Sequence, residues 1–267
     1  MPISVFYSYL SARVLVSIAS SMLSVALGWH LYLYSNDPFD LALVGLLQII
    51  PMLLLFIVSG WVVDHFPRKM ILVLCALLEA CVYLGIGFSM NEGELNKPMI
   101  FTLVFIHGTV RAFYAPASSA ILPNIVSKDF LSRAIAITSS TWTTAQTIGP
   151  LVAGLLIAWV DYKTYNYFVA FAGAGAFLYM LLPTLPINKP TERGLKQLSG
   201  GIHFGFKNPI VLPSISLDML IVLTGSVMAL LPVYAIDVLN VDSTGLGLMR
   251  AMPALGGVMM GILLPKL

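Results

Sequence analysis

Eight long apolar runs constrain this chain more than any other feature of its sequence. Each has about 20 residues or more, the length that an α-helix needs to cross the hydrocarbon core of a bilayer. The chain is 58% hydrophobic and 10% charged, whereas soluble domains are about 45–50% apolar and about 25% charged. The sequence therefore predicts an all-α membrane protein with eight spans. They cover residues 6–34, 41–63, 70–90, 98–122, 134–160, 165–183, 209–236 and 244–264.

Basic residues are unequally distributed between the two sides of the membrane on which the connections between these runs would lie. Among the basic residues, the connections on one side hold only Lys97 and Lys163. Those on the other side hold Arg68, Lys69, Lys128, Arg133, Lys189, Arg193, Lys196 and Lys207. Because lysine and arginine accumulate in cytoplasmic connections, we expect a multi-pass protein of the bacterial inner (cytoplasmic) membrane with a cytoplasmic N-terminus. The net charge of +2 gives no reason to expect a nucleic-acid partner.

The sequence lacks the motifs of enzymes and cofactor sites. It contains no H-E-x-x-H, G-x-S-x-G, Walker loop or G-x-G-x-x-G. Cys75 and Cys81 lie in the third run on different helix faces, so they predict neither a disulfide nor a metal site. We therefore expect no enzyme activity, no cofactor and no metal. Any transport would be powered by an ion gradient.

A short polar turn, G-W-V-V-D-H-F-P-R-K, joins the second and third runs at residues 60–69. A turn this short can only connect two antiparallel membrane helices. Gly60 lies one helical turn before Asp64, so a neighbouring helix can approach closely there. Asp64 can pair with Arg68 or bind the positive N-terminus of another helix. Such a contact can form in one conformation and break in another, as a gate requires.

The same turn resembles the signature loop between helices 2 and 3 of the major facilitator superfamily, G-x-x-x-D-[RK]-x-G-R-[RK]. The matching residues are Gly60, Asp64, Arg68 and Lys69. His65 replaces a base of that pattern, and Pro67 replaces its glycine. The resemblance implies a gating loop. The alternative is a basic loop that only fixes the topology.

A segment of the fourth run carries a second resemblance. From Arg111 to Val126 it reads R-A-F-Y-A-P-A-S-S-A-I-L-P-N-I-V. This is similar to the fourth helix of one branch of the superfamily, the branch of enterobactin-exporter and macrolide-efflux proteins. The segment is more specific than the helix 2–3 loop, because most other branches lack it.

The fifth run contains Gly149, Pro150 and Gly154 in the stretch A-Q-T-I-G-P-L-V-A-G. Proline removes a backbone hydrogen bond, and small residues allow another helix to approach. The stretch resembles the fifth-helix motif of superfamily antiporters, which is linked with export. It predicts packing of the fifth run on the eighth, with Gly149 facing Gly257 and Gly261. The alternative is a packing kink that has no bearing on transport direction.

An internal repeat links the second and eighth runs. Residues 45–51 read G-L-L-Q-I-I-P, and residues 247–253 read G-L-M-R-A-M-P. The repeat makes the eighth run the second span of another copy, so one copy has six spans. Parallel six-span repeats are the architecture of the superfamily. The alternative is chance similarity between two apolar helices.

The repeat predicts three segments. Residues 1–183 form a complete N-terminal six-helix bundle, residues 184–208 a cytoplasmic linker, and residues 209–267 the first two helices of a C-terminal bundle. Two copies need twelve spans, so we expect a fragment that ends after the eighth. An amphipathic helix is expected in the linker, because its apolar residues recur at helical spacing: Leu195, Leu198, Ile202 and Phe206.

Ionisable residues inside the spans are candidates for substrate binding or proton coupling, because each costs about 2.5–3.5 kcal/mol to insert. They are Arg13, Glu79, Arg111 and Asp218. Arg111 lies about 16 Å from either end of its run at 1.5 Å per residue. It is therefore too deep to reach the interface and must face protein or a cavity. His30 and His107 are predicted to be packed or interfacial rather than proton carriers.

The resemblance implies where these charges lie. Helices 1, 4 and 7 of the superfamily line a central cavity, which would hold Arg13, Arg111 and Asp218. Glu79 would lie on a more peripheral helix. The alternative for each residue is a static ion pair that holds helices together.

The sequence thus predicts a secondary active transporter of the major facilitator superfamily. We expect an exporter of a siderophore or drug-like amphiphile that works by proton antiport and alternating access. Its expected partners are a small-molecule substrate, protons and the lipid bilayer, with no obligate protein partner. The alternatives are an importer of the same superfamily and a truncated membrane protein that inserts but transports nothing.

Overall fold

The computed structural model describes residues 3–90, 96–183, 212–213, 216–217 and 226–263. Over these ranges the secondary structure is helical and includes no strand. The predicted all-α fold is therefore confirmed. The expected linker helix at 184–208 and the candidate Asp218 lie outside the described residues.

Helices α1 (Ile3–Ser35) and α2 (Pro38–Leu54) are joined by a tight turn that the sequence encodes. Asn36 adopts a positive φ of 50°, a conformation that asparagine tolerates better than most residues. The side chain of Asp37 then caps α2 by accepting a 2.9 Å hydrogen bond from the amide of Phe39. A proline at the first helical position completes a strong start signal.

The second predicted span is a bent pair rather than one uninterrupted helix. Helix α3 (Phe56–His65) follows α2 after a break at Leu55, and the two helix axes differ by 55°. Pro51 lies four residues before the break and cannot donate its own backbone hydrogen bond. Its carbonyl accepts a hydrogen bond of 2.9 Å from the amide of Leu55. The predicted span at 41–63 is therefore formed by two helices with a bend at Leu55.

Four further helices follow in the described residues up to 183. They are α4 (Arg68–Ser89), α5 (Lys97–Ile125), α6 (Lys128–Val160) and α7 (Thr164–Met180). A short 3-10 turn, Asp161–Lys163, separates the last two. Helix α6 continues through its internal proline without a break.

Contacts between helix ends fix the directions of α1 and α6. The ring of Phe6, near the start of α1, lies 5.5 Å from that of Phe130 near the start of α6. At the other end, His30 Nε2 lies 3.1 Å from Asp161 Oδ1, directly after α6. The two helices therefore run in the same direction. We call the end of the bundle that holds Phe6 the amino-terminal end and the opposite end the far end.

Helix α7 returns from the far end to the amino-terminal end. Tyr165 at its start lies with its hydroxyl 3.2 Å from His30 Nδ1. Tyr179 near its end lies with its ring 6.2 Å from that of Tyr9. A Lys97–Asp40 ion pair of 2.6 Å places the starts of α5 and α2 together.

Length and hydropathy agree with a membrane bundle. Four helical stretches of the described residues are long and apolar enough to cross a bilayer, and a fifth is added if α2 and α3 count as one bent span. One of the four, Lys128–Met180, contains both α6 and α7. Large apolar side chains such as Phe39, Leu53 and Trp159 are exposed on the outside of the bundle, as a protein solvated by lipid requires.

Two further helices pack on this bundle. Helix α8 consists of consecutive 3-10, α and π turns: Ser226–Leu230, Leu231–Val233 and Tyr234–Val238. Helix α9 spans Ser243–Leu263. The side chain of Asp242 caps α9 by accepting the amide of Gly245 at 3.0 Å, and this bond lowers the pKa of that carboxyl.

Candidate functional site

A cavity of about 360 Å³ lies among α1, α5 and α6. Drug-sized ligands occupy pockets of about 300–1,000 Å³. Its lining combines two arginines with hydroxyl and aromatic side chains: Arg13, Ser17, Arg111, Tyr114, Ala115, Ser118, Ser119, Ser139, Trp142 and Thr143. Among these residues there is no carboxylate. Sequence reasoning named the two arginines but none of the serines or threonines, because hydroxyl residues are common on any membrane helix.

Arg13 is held on one side of the cavity by hydroxyl groups. Its Nη1 donates to the hydroxyl of Tyr9 at 2.8 Å and to Ser118 Oγ at 2.9 Å. Tyr9 is itself buried and bonds to the carbonyl of Ser118 at 2.7 Å. These bonds fix the guanidinium between α1 and α5 without neutralising its charge.

Arg111 is held by a hydroxyl and an aromatic ring. Its Nη1 donates to Ser20 Oγ at 3.2 Å, and its guanidinium carbon lies 5.3 Å from the ring centre of Trp142. A cation over an indole face is attracted by the ring quadrupole. The structure thus places the two arginines named from the sequence in one cavity. It does so without an ion pair to either of them among the described residues.

Glu79 lies outside the cavity lining, between α4 and α5. Its Oε2 is 2.7 Å from His107 Nδ1, and both residues are buried at 1% and 4% exposure. Tyr83, one turn further along α4, is completely buried, and its ring centre lies 6.2 Å from that of His107. His107 is one turn before Arg111 on α5. The pair therefore lies one helical turn from a residue that lines the cavity.

His107 was predicted to be packed or interfacial, and the structure shows it packed. Its role as the partner of Glu79 was missed, because the two residues are 28 positions apart and only the α4–α5 contact brings them together. The available sequence signal was that His107 lies one helical turn before Arg111 on the same face of α5. His30 is also packed, between Tyr165 and Asp161 at the far end.

In the loop with the superfamily signature, two basic side chains donate hydrogen bonds to backbone carbonyls. Arg68 Nη1 donates to the carbonyl of Ala120 on α5 at 2.9 Å, and Lys69 Nζ donates to the carbonyl of Leu182 after α7. Asp64 is exposed and forms no ion pair with Arg68 among the described residues. Gly60 has open space where a side chain would be.

Residues of the fifth-helix motif contact two different helices, α1 and α9. A Cβ on Gly149 would lie 2.2 Å from Ser21 Oγ of α1. A Cβ on Gly154 would lie 2.5 Å from the carbonyl of Ser243 on α9, and one on Gly247 would lie 2.6 Å from that of Pro150. The motif therefore packs α6 against both α1 and α9 with almost no space between backbones.

One detail of the predicted packing was wrong. Gly149 faces α1 rather than the eighth run, and Gly257 has open space in place of a helix contact. Helix α9 does pack on α6, but through Gly247 and Gly154 at the far end. The error arose because sequence spacing identifies a small-residue face but not the depth at which two helices touch.

Three hydrogen bonds join α8 and α9 to the far-end halves of α1 and α6. The hydroxyl of Tyr32 donates to Asp237 Oδ2 of α8. Arg250 Nη1 of α9 donates to the carbonyl of Ser24 at 2.7 Å. On α6, Ser243 Oγ of α9 donates to the carbonyl of Gly154 at 3.0 Å. We call these three contacts the far-end closure.

A polar, cationic cavity inside a bundle of long apolar helices is typical of a multi-pass membrane protein. The sequence model of the Major Facilitator Superfamily matches residues 9–267, and the chain belongs to this family.

Relatives and solved structures agree with this assignment. The chain is 26% identical over 256 residues to the enterobactin exporter EntS of Escherichia coli O1:K1 / APEC, and to that of E. coli O157:H7 (strain EC4115 / EHEC). These matches cover 94% of this chain and 61% of each relative. The chain therefore spans about three fifths of their length. Such relatives are transporters of the inner membrane, not enzymes.

Two solved structures share the fold. One is a bacterial homolog of the human lysosomal transporter Spinster in an inward-facing, unoccupied conformation. It matches 99% of this chain and 63% of its own with a TM-score of 0.74 and 14% identity. The other is the POT family transporter PepTSo, which matches 96% of this chain and 53% of its own with a TM-score of 0.60 and 12% identity. At these identities the similarity establishes the fold alone.

Proposed function

We propose that the protein carrying this chain is a secondary active exporter of a siderophore or drug-like amphiphile. The observation that carries this proposal is the cavity among α1, α5 and α6, which combines charge with an aromatic ring inside a membrane bundle. The outward direction is supported by the similarity to enterobactin exporters and by the fifth-helix motif. The proposed mechanism is alternating access, with proton antiport as the coupling.

The position of the contacts between the helices supports alternating access. The far-end closure joins α8 and α9 to α1 and α6, whereas the cavity residues of α1 and α6 lie closer to the amino-terminal end. Arg13 is eleven residues before Ser24 on α1, which is about 16 Å along the helix. A cavity closed at one end is one of the two states that alternating access requires. With the amino-terminus cytoplasmic, as proposed from the loop charges, this state faces inward.

The candidate residues take proposed roles in this cycle. Arg13 and Arg111 line the cavity and bind substrate. Glu79, Asp218 and the arginines are the candidates for proton coupling. The loop with Arg68 and Lys69 gates the amino-terminal end, where its bases already hold α5 and the end of α7.

The test is an accumulation assay in an efflux-deficient bacterial host that expresses the protein at its natural length. Labelled enterobactin and a labelled macrolide serve as substrates, with and without the protonophore CCCP. Arg111→Gln is compared with Arg133→Gln, an exposed arginine on α6 outside the cavity. We expect lower accumulation with the wild type and Arg133→Gln, and full accumulation with Arg111→Gln at equal membrane levels.

The possible outcomes separate the alternatives. Higher accumulation in cells that express the protein would indicate an importer and overturn the direction. Unchanged accumulation of both labelled compounds would contradict the proposed export of this substrate class. Export that persists in CCCP would overturn proton antiport alone.

A further inference from the structure

We infer that the cavity among α1, α5 and α6 is an anion-selective site for a small aromatic organic anion. This inference rests on the proposed function of the cavity as a substrate site and names the charge class of the substrate. It is carried by the juxtaposition of Arg13 and Arg111 in a lining that contains no carboxylate among the described residues.

The first argument is the charge balance of the cavity. Two guanidinium groups contribute two positive charges, because arginine stays protonated in proteins. All the other lining residues are neutral. A carboxylate at Asp218, which lies outside the described residues, would neutralise only one of the two cations. Glu79 Oε2 lies 2.7 Å from His107 Nδ1, and Glu79 does not line the cavity.

The second argument is that both arginines retain unused hydrogen-bond donors. A guanidinium has five N–H groups. Arg111 uses Nη1 for Ser20, and Arg13 uses Nη1 for Tyr9 and Ser118. Among the described residues, the other N–H groups of these two arginines form no hydrogen bond, and both side chains line the cavity. Their fork geometry suits carboxylates.

The third argument concerns the size and shape of the ligand. Ser118, which holds Arg13, lies seven residues after Arg111 on α5, or about 10 Å along the helix. An anion that engages both arginines must therefore be an organic molecule rather than a single small ion. Trp142 provides an aromatic surface beside Arg111, so a flat ring with an attached oxyanion fits the lining.

An anion also suits the proposed outward direction. Bacterial membranes are negative inside, so the membrane potential itself drives anions out. A site that selects anions would add this electrical driving force to export. The cavity would exclude amphiphilic cations, because two like charges in a low-dielectric setting repel them.

The test is equilibrium binding to the protein at its natural length in nanodiscs of phosphatidylcholine, a lipid without net charge. The probes are 2-naphthoate and its uncharged amide, 2-naphthamide, measured by equilibrium dialysis. We expect naphthoate to bind about tenfold more tightly, the effect of one charge-assisted hydrogen bond. Arg13→Gln and Arg111→Gln should each remove most of this preference, whereas the matched control Arg133→Gln should keep it.

Three results would overturn the inference. They are equal binding of the two probes, no binding of naphthoate, and an unchanged preference in both arginine variants that retain native circular dichroism. Sulfate should compete weakly; competition as strong as that of naphthoate would indicate a site for inorganic anions. Displacement of naphthoate by added phosphatidylglycerol at low mole fraction would assign the arginines to lipid headgroups instead.

Failure of the anion site and failure of the proposed exporter remain distinguishable. If naphthoate binds through the arginines but no compound is exported from cells, the anion site stands and the export proposal falls. If the labelled macrolide, an amphiphilic cation, is exported while naphthoate and naphthamide bind equally, the exporter stands and the anion inference falls.

Discussion

At the residue scale, the two sets of ionisable residues inside the spans are arranged in opposite ways. Glu79 and His107 satisfy each other within α4 and α5, whereas Arg13 and Arg111 are held by hydroxyl groups and an indole ring. A buried pair is costly to break, since removing one partner leaves the other without compensation. A cation held only by neutral groups keeps its electrostatic attraction for a ligand.

The first prediction concerns the stability of the Glu79–His107 pair. His107→Ala should destabilise the protein by about 1–3 kcal/mol, because it leaves a buried carboxyl group without its partner. Glu79→Gln should cost less, since its amide can still hydrogen-bond to the imidazole. Unfolding in detergent micelles by SDS titration measures both. Equal losses in the two variants would show that the hydrogen bond contributes little.

The second prediction concerns the sign of proton linkage. Arg111 lies one helical turn beyond His107 on α5, so a ligand charge bound at Arg111 acts on the Glu79–His107 pair. A bound anion adds negative charge beside the pair, so anion binding should cause proton uptake by the pair. A pH-sensitive dye in weakly buffered protein solution measures the uptake on addition of 2-naphthoate, and Glu79→Gln should abolish it.

Proton uptake on anion binding bears on how the movements of protons and substrate are coupled. Uptake of a proton together with an anion is the linkage of co-transport. Exchange of protons for an anion would therefore need a different acid, of which Asp218 is the candidate named by the sequence. Proton release on naphthoate binding, retained in Glu79→Gln, would contradict a role for Glu79 in coupling.

At the element scale, helix contacts are set by glycines that bring backbones together. Gly154 and Gly247 lie opposite each other in α6 and α9, and a Cβ on either would meet a backbone carbonyl. Gly108 of α5 similarly lies against the backbone of Gln48 in α2. In a lipid solvent such close packing replaces the hydrophobic effect as the force that joins helices.

The third prediction tests the α6–α9 contact. Gly154→Ala should push the helices apart at a cost of about 1–3 kcal/mol, as overpacking does. Ser243→Cys provides the reporter, since Ser243 is only 3% exposed. Its reaction with a maleimide should speed up in Gly154→Ala. Gly173→Ala is the matched control, because a Cβ there has open space. An unchanged labelling rate in Gly154→Ala would show that the contact is looser than described.

At the scale of the whole molecule, three hydrogen bonds of α8 and α9 hold the far-end halves of α1 and α6. The cavity lies closer to the amino-terminal end. Rocking of one helix set against the other would have to break these polar contacts or shift the close packing of Gly154 and Gly247. They are therefore the places where a substitution shifts the balance between conformations.

The fourth prediction concerns that balance. Tyr32→Phe removes the hydrogen bond to Asp237 and should favour opening of the far end. Labelling of a Ser243→Cys reporter by a membrane-impermeant maleimide should then become about two- to tenfold faster, which corresponds to the net worth of one hydrogen bond. Tyr34→Phe is the matched control, because Tyr34 is 42% exposed. Equal labelling in both variants would indicate that backbone packing, rather than the Tyr32–Asp237 hydrogen bond, holds α8 and α9 at the far end.

The sequence by itself determined the class, the membrane environment and most helix positions. Apolar runs of spanning length leave few alternatives, since lipid forces every backbone group to be satisfied within a helix. Turn signals such as Asp37 and the charges of the 60–69 loop fixed where helices begin and end. The two cavity arginines were also identifiable, because an ionisable residue deep in a span is too costly to be without a role.

Only the tertiary structure decided which residues meet. The pairing of Glu79 with His107, the hydroxyl groups around Arg13 and the bend at Leu55 depend on how helices rotate and slide against each other. Periodicity fixes the face of a helix but not the depth at which it touches its neighbour. The misplaced Gly149 contact has this origin. Contacts between helices are set by the summed packing of many small residues, so they become readable only when all the helices are in place.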